Sequence, residues 1–371
     1  MTETANRVVE KARGACDAVI AAEAAVVDRE RRFPRHSIEA LAGAGLAGLT
    51  VPMQFGGLGG GAAEFVRVVK EIARACGSTA MVYVMHVCGT MPIVAVASDA
   101  QKSELLPPLA SGEWLATLAF SEPGSGAHFY APVSRAAARS DGFVLQCDKS
   151  FVTSAGEADL YLVSTQSPSA ASPLESDLFM VRRSDAGITV KGRWEGIGLN
   201  GNASAPMRFD GVVLQESARL GPEKSGLTTM LQAGVPWFHL GVSAANIGLA
   251  RAALDASITH SKARKYEHNG QRLADIPGIQ ALLAEMSQPV AAARAYRSND
   301  SSATPRPARS WPRRTTCSRN SSPRYCSAFR GVRRLGGGQR ADAQRGNLWG
   351  IVPAACETDE PATCPMNDAR H

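Results

Sequence analysis

The spacing of apolar residues changes twice along the chain, and any fold must accommodate both changes. Between residues 6 and 31, Val8, Val9, Ala12, Cys16, Val19 and Ile20 recur at three- and four-residue steps among charged positions, the stripe of an amphipathic helix. After Pro34, Ser37 is the expected N-cap of a second helix carrying Ile38, Leu41 and Leu46, and residues 62–76, 78–97 and 99–110 read as three more. From about Glu113 to Gly221 the helical spacing gives way to short runs rich in β-branched and aromatic residues. These runs, GFVLQCD, DLYLVST, DLFMV, GITV and APMRFDGVVL, are divided by Gly, Pro, Ser and Asp turns. Helical spacing returns after Leu227, in HLGVSAANIGLARAALDASITHSKARKY and IPGIQALLAEMSQPVAAARAY. An α+β chain follows, with a helical domain over 1–112, an all-β domain over 113–225 and a second helical part over 226–297.

With 371 residues, 44% of them apolar, the chain can bury cores for two or three domains and is not disordered throughout. Its start, MTETANRVVEKARGA, carries charges where a secretory signal needs an apolar run, so none is expected. The most apolar window, Met81 to Ala97, is interrupted by His86, Gly89 and Pro92 and reads as core, not as a membrane span. A cytoplasmic location with no membrane partner is the resulting expectation. Cysteines at 16, 76, 88, 147, 317, 326, 356 and 364 form no CxxC pair and no metal-ligand spacing, so they read as reduced thiols, with no metal site.

The net charge of +6 is not spread over the chain. Residues 298–371 hold twelve arginines against six acids, which leaves 1–297 neutral and argues against a nucleic-acid face on the body. At about Arg297 lysine vanishes, and SNDSSATPRPARSWPRRTTCSRNSSPRYC shows neither helical nor strand period. Two readings stand for this basic tail: natural disorder, or a GC-rich gene translated out of frame. The second is favoured, since the helix from Ile279 to Tyr296 has no stop signal and its partner helices never arrive.

The densest motif is TLAFSEPGSGAHFY, residues 117–130, where a Ser-Glu-Pro turn meets Gly124 and Gly126. Glycines so placed let a backbone approach a ligand closely. This stretch resembles the most diagnostic motif of the acyl-CoA dehydrogenase family, and four other blocks are similar to that family in the same order. They are FPRHSIEALAGAGLAGLTVPMQFGGLGG, DKSFVTSAGEAD, GIGLNGNASAPMRFDGVVL and SKARKY. The resemblance covers residues 1–297 and implies a helical bundle, a middle β-barrel and a truncated C-terminal helical domain.

The resemblance also implies FAD, held by Leu118, Phe120, Ser121 and Gly126 through the loop and covered by Phe151 and Thr153. Arg264 would reach the pyrophosphate of a neighbouring subunit's FAD, which implies a homo-oligomer. Ala127, His128, Trp237 and His239 would border an acyl-CoA substrate. The implied reaction is α,β-dehydrogenation of the thioester, with an electron-transfer protein or oxygen reoxidising the flavin. The family's base falls either beyond residue 297 or near Phe238, which cannot take a proton, so no catalytic residue is assigned. Two rivals are a flavin monooxygenase of the same fold, in which His128, His239 or His86 would matter, and a non-catalytic truncated paralogue.

Overall fold

The computed structural model describes residues 3–295; the tail from 298 onward lies outside the described residues. Helix α1 (Glu3–Ala15) runs through a π turn (Cys16–Ile20) into α2 (Ala21–Arg29). The buried residues Val8, Ala12, Cys16 and Ile20 explain the π turn. A strict four-residue step drifts about 40° per step around an α-helix, and a wider turn cancels the drift.

Helix α3 (Arg35–Gly43) starts two residues before the expected cap. Pro34 occupies the N-cap position, while Ser37 sits inside the helix, buried, with its hydroxyl unpartnered. Proline's fixed φ starts the helix without a capping side chain. Helices α4 (Ala62–Ala75), α5 (Gly77–Val96) and α6 (Asp99–Ser111) complete the N-terminal bundle. Ser98 caps α6 reciprocally: its Oγ accepts Gln101 N–H at 3.3 Å and its N–H donates to Gln101 Oε1 at 2.8 Å. Helix α5 is long and apolar enough to cross a membrane by composition, yet 72% of that window is buried inside the protein, as befits a central core helix.

The middle of the chain forms eight strands: β1 (Ala116–Ala119), β2 (Ala137–Arg139), β3 (Gly142–Val152), β4 (Leu160–Gln166), β5 (Ser176–Arg182), β6 (Ile188–Val190), β7 (Ala205–Gln215) and β8 (Arg219–Leu220). They pair as two four-stranded sheets, ordered β1-β4-β5-β8 and β2-β3-β7-β6, with β1 parallel to β4. The barrel expected from the resemblance is therefore not closed: β1, β8, β2 and β6 each have one neighbour, whereas closure gives every strand two.

The first sheet is buried on both faces. Leu118, Leu160, Leu162, Leu178, Met180 and Leu220 join the helical core, while the alternate residues Ala119, Tyr161, Val163, Phe179 and Val181 join a second core between the sheets. The second sheet closes that inner core with Phe143, Leu145, Cys147, Met207, Phe209 and Leu214. Its outer face is charged, with Arg208 pairing Asp148 at 2.9 Å and Asp210 at 3.3 Å.

After β8, a short helix α7 (Gly226–Thr229) leads through a π turn (Met230–Gly234) into α8 (Val235–Ala263), and α9 (Pro277–Ala295) follows. Helix α8 lies close on α4 and α5 because glycines stand at the crossings. A Cβ at Gly241 would come within 2.6 Å of Val84, and one at Gly248 within 2.5 Å of the Lys70 carbonyl. Leu231, Phe238 and Leu249 are exposed on this arm, as are Leu282 and Met286 of α9.

Candidate functional site

Strand β1 leaves the inner wall of the protein and opens into the 120–130 loop, and β3 runs beside it. The two motif segments are joined by one side-chain and one backbone hydrogen bond. Thr117 Oγ1 donates to the Thr153 carbonyl at 2.8 Å, and Ser150 N–H donates to the Ser121 carbonyl at 2.8 Å. Leu118 and Phe120 direct their side chains into the helical core, so only their main chain is available to a ligand. Ser121 is half-buried and Thr153 buried. Phe151 is 64% exposed, an unusual state for a phenyl ring, and meets Trp194 edge-on with centroids 6.4 Å apart.

The two glycines of the loop are required for different reasons. A Cβ at Gly124 would come within 2.8 Å of Val133, a packing constraint internal to the chain. Gly126 has φ of +53° and nothing within 4 Å of a built Cβ, so it serves backbone conformation and leaves an open approach.

Beneath the loop lies a buried ion pair. Lys149 is 1% and Glu122 4% exposed. The three ammonium protons of Lys149 meet three acceptors: Glu122 Oε1 at 2.7 Å, the Phe120 carbonyl at 3.3 Å and the Ser164 carbonyl. Glu122 Oε2 accepts Val133 N–H at 2.7 Å and Ser134 N–H at 2.9 Å, and Oε1 also accepts the Ser134 hydroxyl. Burial by itself would raise the Glu122 carboxyl. The adjacent Lys149 charge and the hydrogen bonds from Lys149 and Ser134 together outweigh that and hold it below its ordinary range. One signal could have found Lys149 from sequence: it falls on the inward positions of β3, after Phe143, Leu145 and Cys147. A lysine on an apolar face needs a buried partner.

Ser154 and Trp194 are also absent from the residues singled out in the sequence. Ser154 adopts φ of +62° and its buried hydroxyl has no partner among the described residues. Gly126 and the Phe151 ring are open to solvent on these two segments, a setting that suits a flat ring system.

The other expected residues are more dispersed. Ala127 and His128 are exposed on the same loop, the His128 ring 5.6 Å from Tyr130. Trp237 packs edge-on against Phe65 with centroids 5.4 Å apart, and His239 is exposed beside Phe238. Arg264 is an exposed C-cap of α8 whose N–H donates to the His260 carbonyl at 2.9 Å. Among the described residues no hydrogen bond or ring contact joins Arg264, Trp237 or His239 to the loop. His86 is a satisfied core residue: Nδ1 accepts Ala116 N–H at 3.2 Å and Nε2 donates to the Ala47 carbonyl at 3.2 Å.

A groove of about 870 Å³ lies elsewhere, between α6 and the β7–β8 connection, and reaches Leu160 and Arg182. Leu160 registers with Ala116, the end of β1 opposite the loop. Its arginines Arg182 and Arg219 are each paired, with Glu104 and Glu216, so the groove presents no unneutralised cation.

Known proteins share this fold and order of domains. The acyl-CoA dehydrogenase N-terminal domain matches residues 2–113, the middle domain 117–212 and the C-terminal domain 240–313, the last running past the composition change at Arg297. A probable acyl-CoA dehydrogenase of Mycobacterium tuberculosis is 29% identical over 282 residues, 76% of this chain and 72% of that protein. Butyryl-CoA dehydrogenase from Megasphaera elsdenii superposes with a TM-score of 0.75 at 24% identity, covering 80% of this chain and 78% of that one. The glutaryl-CoA complex of glutaryl-coenzyme A dehydrogenase gives 0.74 at 25% identity, covering 80% and 75%. With three domains of one family matched in order along it, the chain belongs to the acyl-CoA dehydrogenases, a family of FAD-dependent oxidoreductases.

Proposed function

We propose that this chain binds FAD along the 118–126 loop and the 151–153 strand end, and that its substrate class is acyl-CoA thioesters. The observation that carries the reading is the direct docking of the two segments, by the backbone bond of Ser150 N–H to the Ser121 carbonyl at 2.8 Å and the side-chain bond of Thr117 Oγ1 to the Thr153 carbonyl at 2.8 Å. Leu118 and Phe120 contribute main chain, Ser121 a hydroxyl, Gly126 a close approach, and Phe151 and Thr153 the covering side. Bound FAD supplies the acceptor for the hydride that leaves the β-carbon. Ala127 and His128 border the thioester side of the loop, with Trp237 and His239 on the α8 side. Arg264 would serve a neighbouring subunit's pyrophosphate in a homo-oligomer, and a partner protein or oxygen would be the final electron acceptor.

Proton abstraction is the weak step of this chain. The N-terminal part of α8 presents Trp237, Phe238 and His239, and the helix's one acid, Asp255, is held by Arg251 at 2.9 Å and lies 3.6 Å from Arg74. Among the described residues the N-terminal part of α8 offers no carboxylate, so α-proton removal has no general base on this helix. Glu357 and Glu360 lie outside the described residues. The test is anaerobic mixing of the FAD-loaded full chain with acyl-CoAs of several lengths while the flavin's visible absorption is followed. The reading expects stable flavin binding, acyl-CoA binding seen as a spectral perturbation, and slow or absent bleaching. Full bleaching at an ordinary enzyme rate would overturn the missing-base part, and failure to retain FAD would overturn the whole.

A further inference from the structure

Lys149 and Glu122 make no demand on a ligand and are sealed from solvent, yet they tie together the loop and the strand that carry the proposed flavin site. Lys149 holds the Phe120 carbonyl of the flavin loop and the Ser164 carbonyl of β4, and belongs to the strand that carries Phe151 and leads into Thr153. Glu122 sits in the flavin loop and holds Val133 and Ser134, on the far side of His128. Every lone pair and proton of the pair is used, so the geometry of three backbone segments is set by one contact of 2.7 Å. A buried ion pair is weak evidence for stability, because taking both charges out of water offsets most of their attraction. Its fully engaged hydrogen bonds give it a different use.

We propose that Glu122 and Lys149 are a positioning pair that preorganises the 120–126 loop for FAD, and that flavin affinity depends on the pair more than folding does. The inference rests on the flavin reading of the loop. In Lys149→Met the Phe120 and Ser164 carbonyls lose the ammonium donor, Phe120 keeping only the long bond from the Ser164 hydroxyl at 3.5 Å, and Glu122 keeps an unpaired charge. The loop must then be ordered at the moment of binding, which weakens affinity. In the double variant E122Q/K149M no charge is stranded, so the fold recovers, while the ionic link between the segments is still missing.

The experiment compares the full-length wild type, K149M, E122Q and the double variant, each stripped of flavin. Urea unfolding midpoints of the apo-proteins report the fold, and equilibrium dialysis with FAD, read by its fluorescence, reports affinity. The expected result is a lowered midpoint in both single variants and a midpoint near wild type in the double, with FAD bound at least about tenfold more weakly in all three. Loss of resolved vibronic structure in the bound flavin's spectrum should accompany the weaker binding, a change that a purely structural role does not produce. Recovery of wild-type FAD affinity in the double variant, or unchanged affinity in the singles, would refute the pair's positioning role. If the wild type itself binds no FAD, the flavin reading fails first and takes this inference with it. A single variant that fails to fold leaves the double variant to decide.

Discussion

His86 offers a quantitative test of how the helical core grips the strand that carries the loop. Its ring is 2% exposed and bridges Ala47 of the bundle to Ala116 of β1, with the proton on Nε2. Burial, only partly opposed by backbone contacts at Ala47 and Leu109, pushes its pKa from 6.5 down to about 4. Above the unfolded value neither state binds a proton there, and below the folded value both do. Between them the unfolded chain takes up a proton that the native ring refuses, so stability falls as pH falls, by about 1.4 kcal/mol per pH unit. The full window is worth about 3 kcal/mol, and the part between about pH 7.5 and about pH 5 is worth about 2 kcal/mol. His86→Gln keeps a donor and an acceptor and removes the titration. Urea unfolding of both proteins across this range should show the wild type's advantage shrinking by about 2 kcal/mol on acidification. Carboxylates such as Glu122 are common to both proteins and cancel in the difference. Parallel stability curves for the two would mean that His86 is not the buried neutral bridge described above.

Phe238→Glu should restore a carboxylate to the N-terminal part of α8 and speed anaerobic flavin bleaching by acyl-CoA, a gain that stopped-flow absorbance would detect. Gly248→Val forces a side chain against the Lys70 carbonyl, 2.5 Å from a built Cβ, and should cost more than about 2 kcal/mol in urea unfolding. Gly126→Ala has open space but a left-handed backbone, so it should cost only about 1 kcal/mol by the same assay while leaving folding intact. Burial pushes the Cys16 thiol up to about 12 and that of Cys147 up to about 11, and raises Cys88 as well. These three should escape a thiol reagent at about pH 8 until denaturant is added, as peptide mapping of the labelled native protein would show.

The order of helices and strands was legible because each element carries one dominant period: α4 places Phe65, Val68, Val69 and Ile72 inward, and β3 alternates Phe143, Leu145 and Cys147. Pairing was less legible, since a strand's period states which face is buried and not which strand lies beside it. Whether the strands close or stay as two sheets depends on the edge strands β1, β8, β2 and β6, of two to four residues each, which no periodicity can detect. Ser37 misled because a serine beside a helical run suits a cap, while Pro34 had already started the helix. The loop's glycines were found as a pair, but Val133 explains Gly124 and a left-handed backbone explains Gly126. That Lys149 pairs with Glu122, 27 residues away, was not legible, because the alternation of β3 marks the lysine as inward without naming its partner.

The sheet that faces both cores changes what counts as a separable part. The N-terminal domain match ends at residue 113 and the middle one begins at 117, so the seam falls just before β1. Yet Leu118, Leu162, Leu178 and Met180 are packed among helical residues, and Ala119, Tyr161, Val163 and Phe179 among residues of the second sheet. A cut at that seam would wet one side of a two-sided partition whichever half was kept. Fragments made there should aggregate, and chimaeras swapped there should inherit mismatched interiors; the exchangeable piece is the bundle together with the partition it leans on.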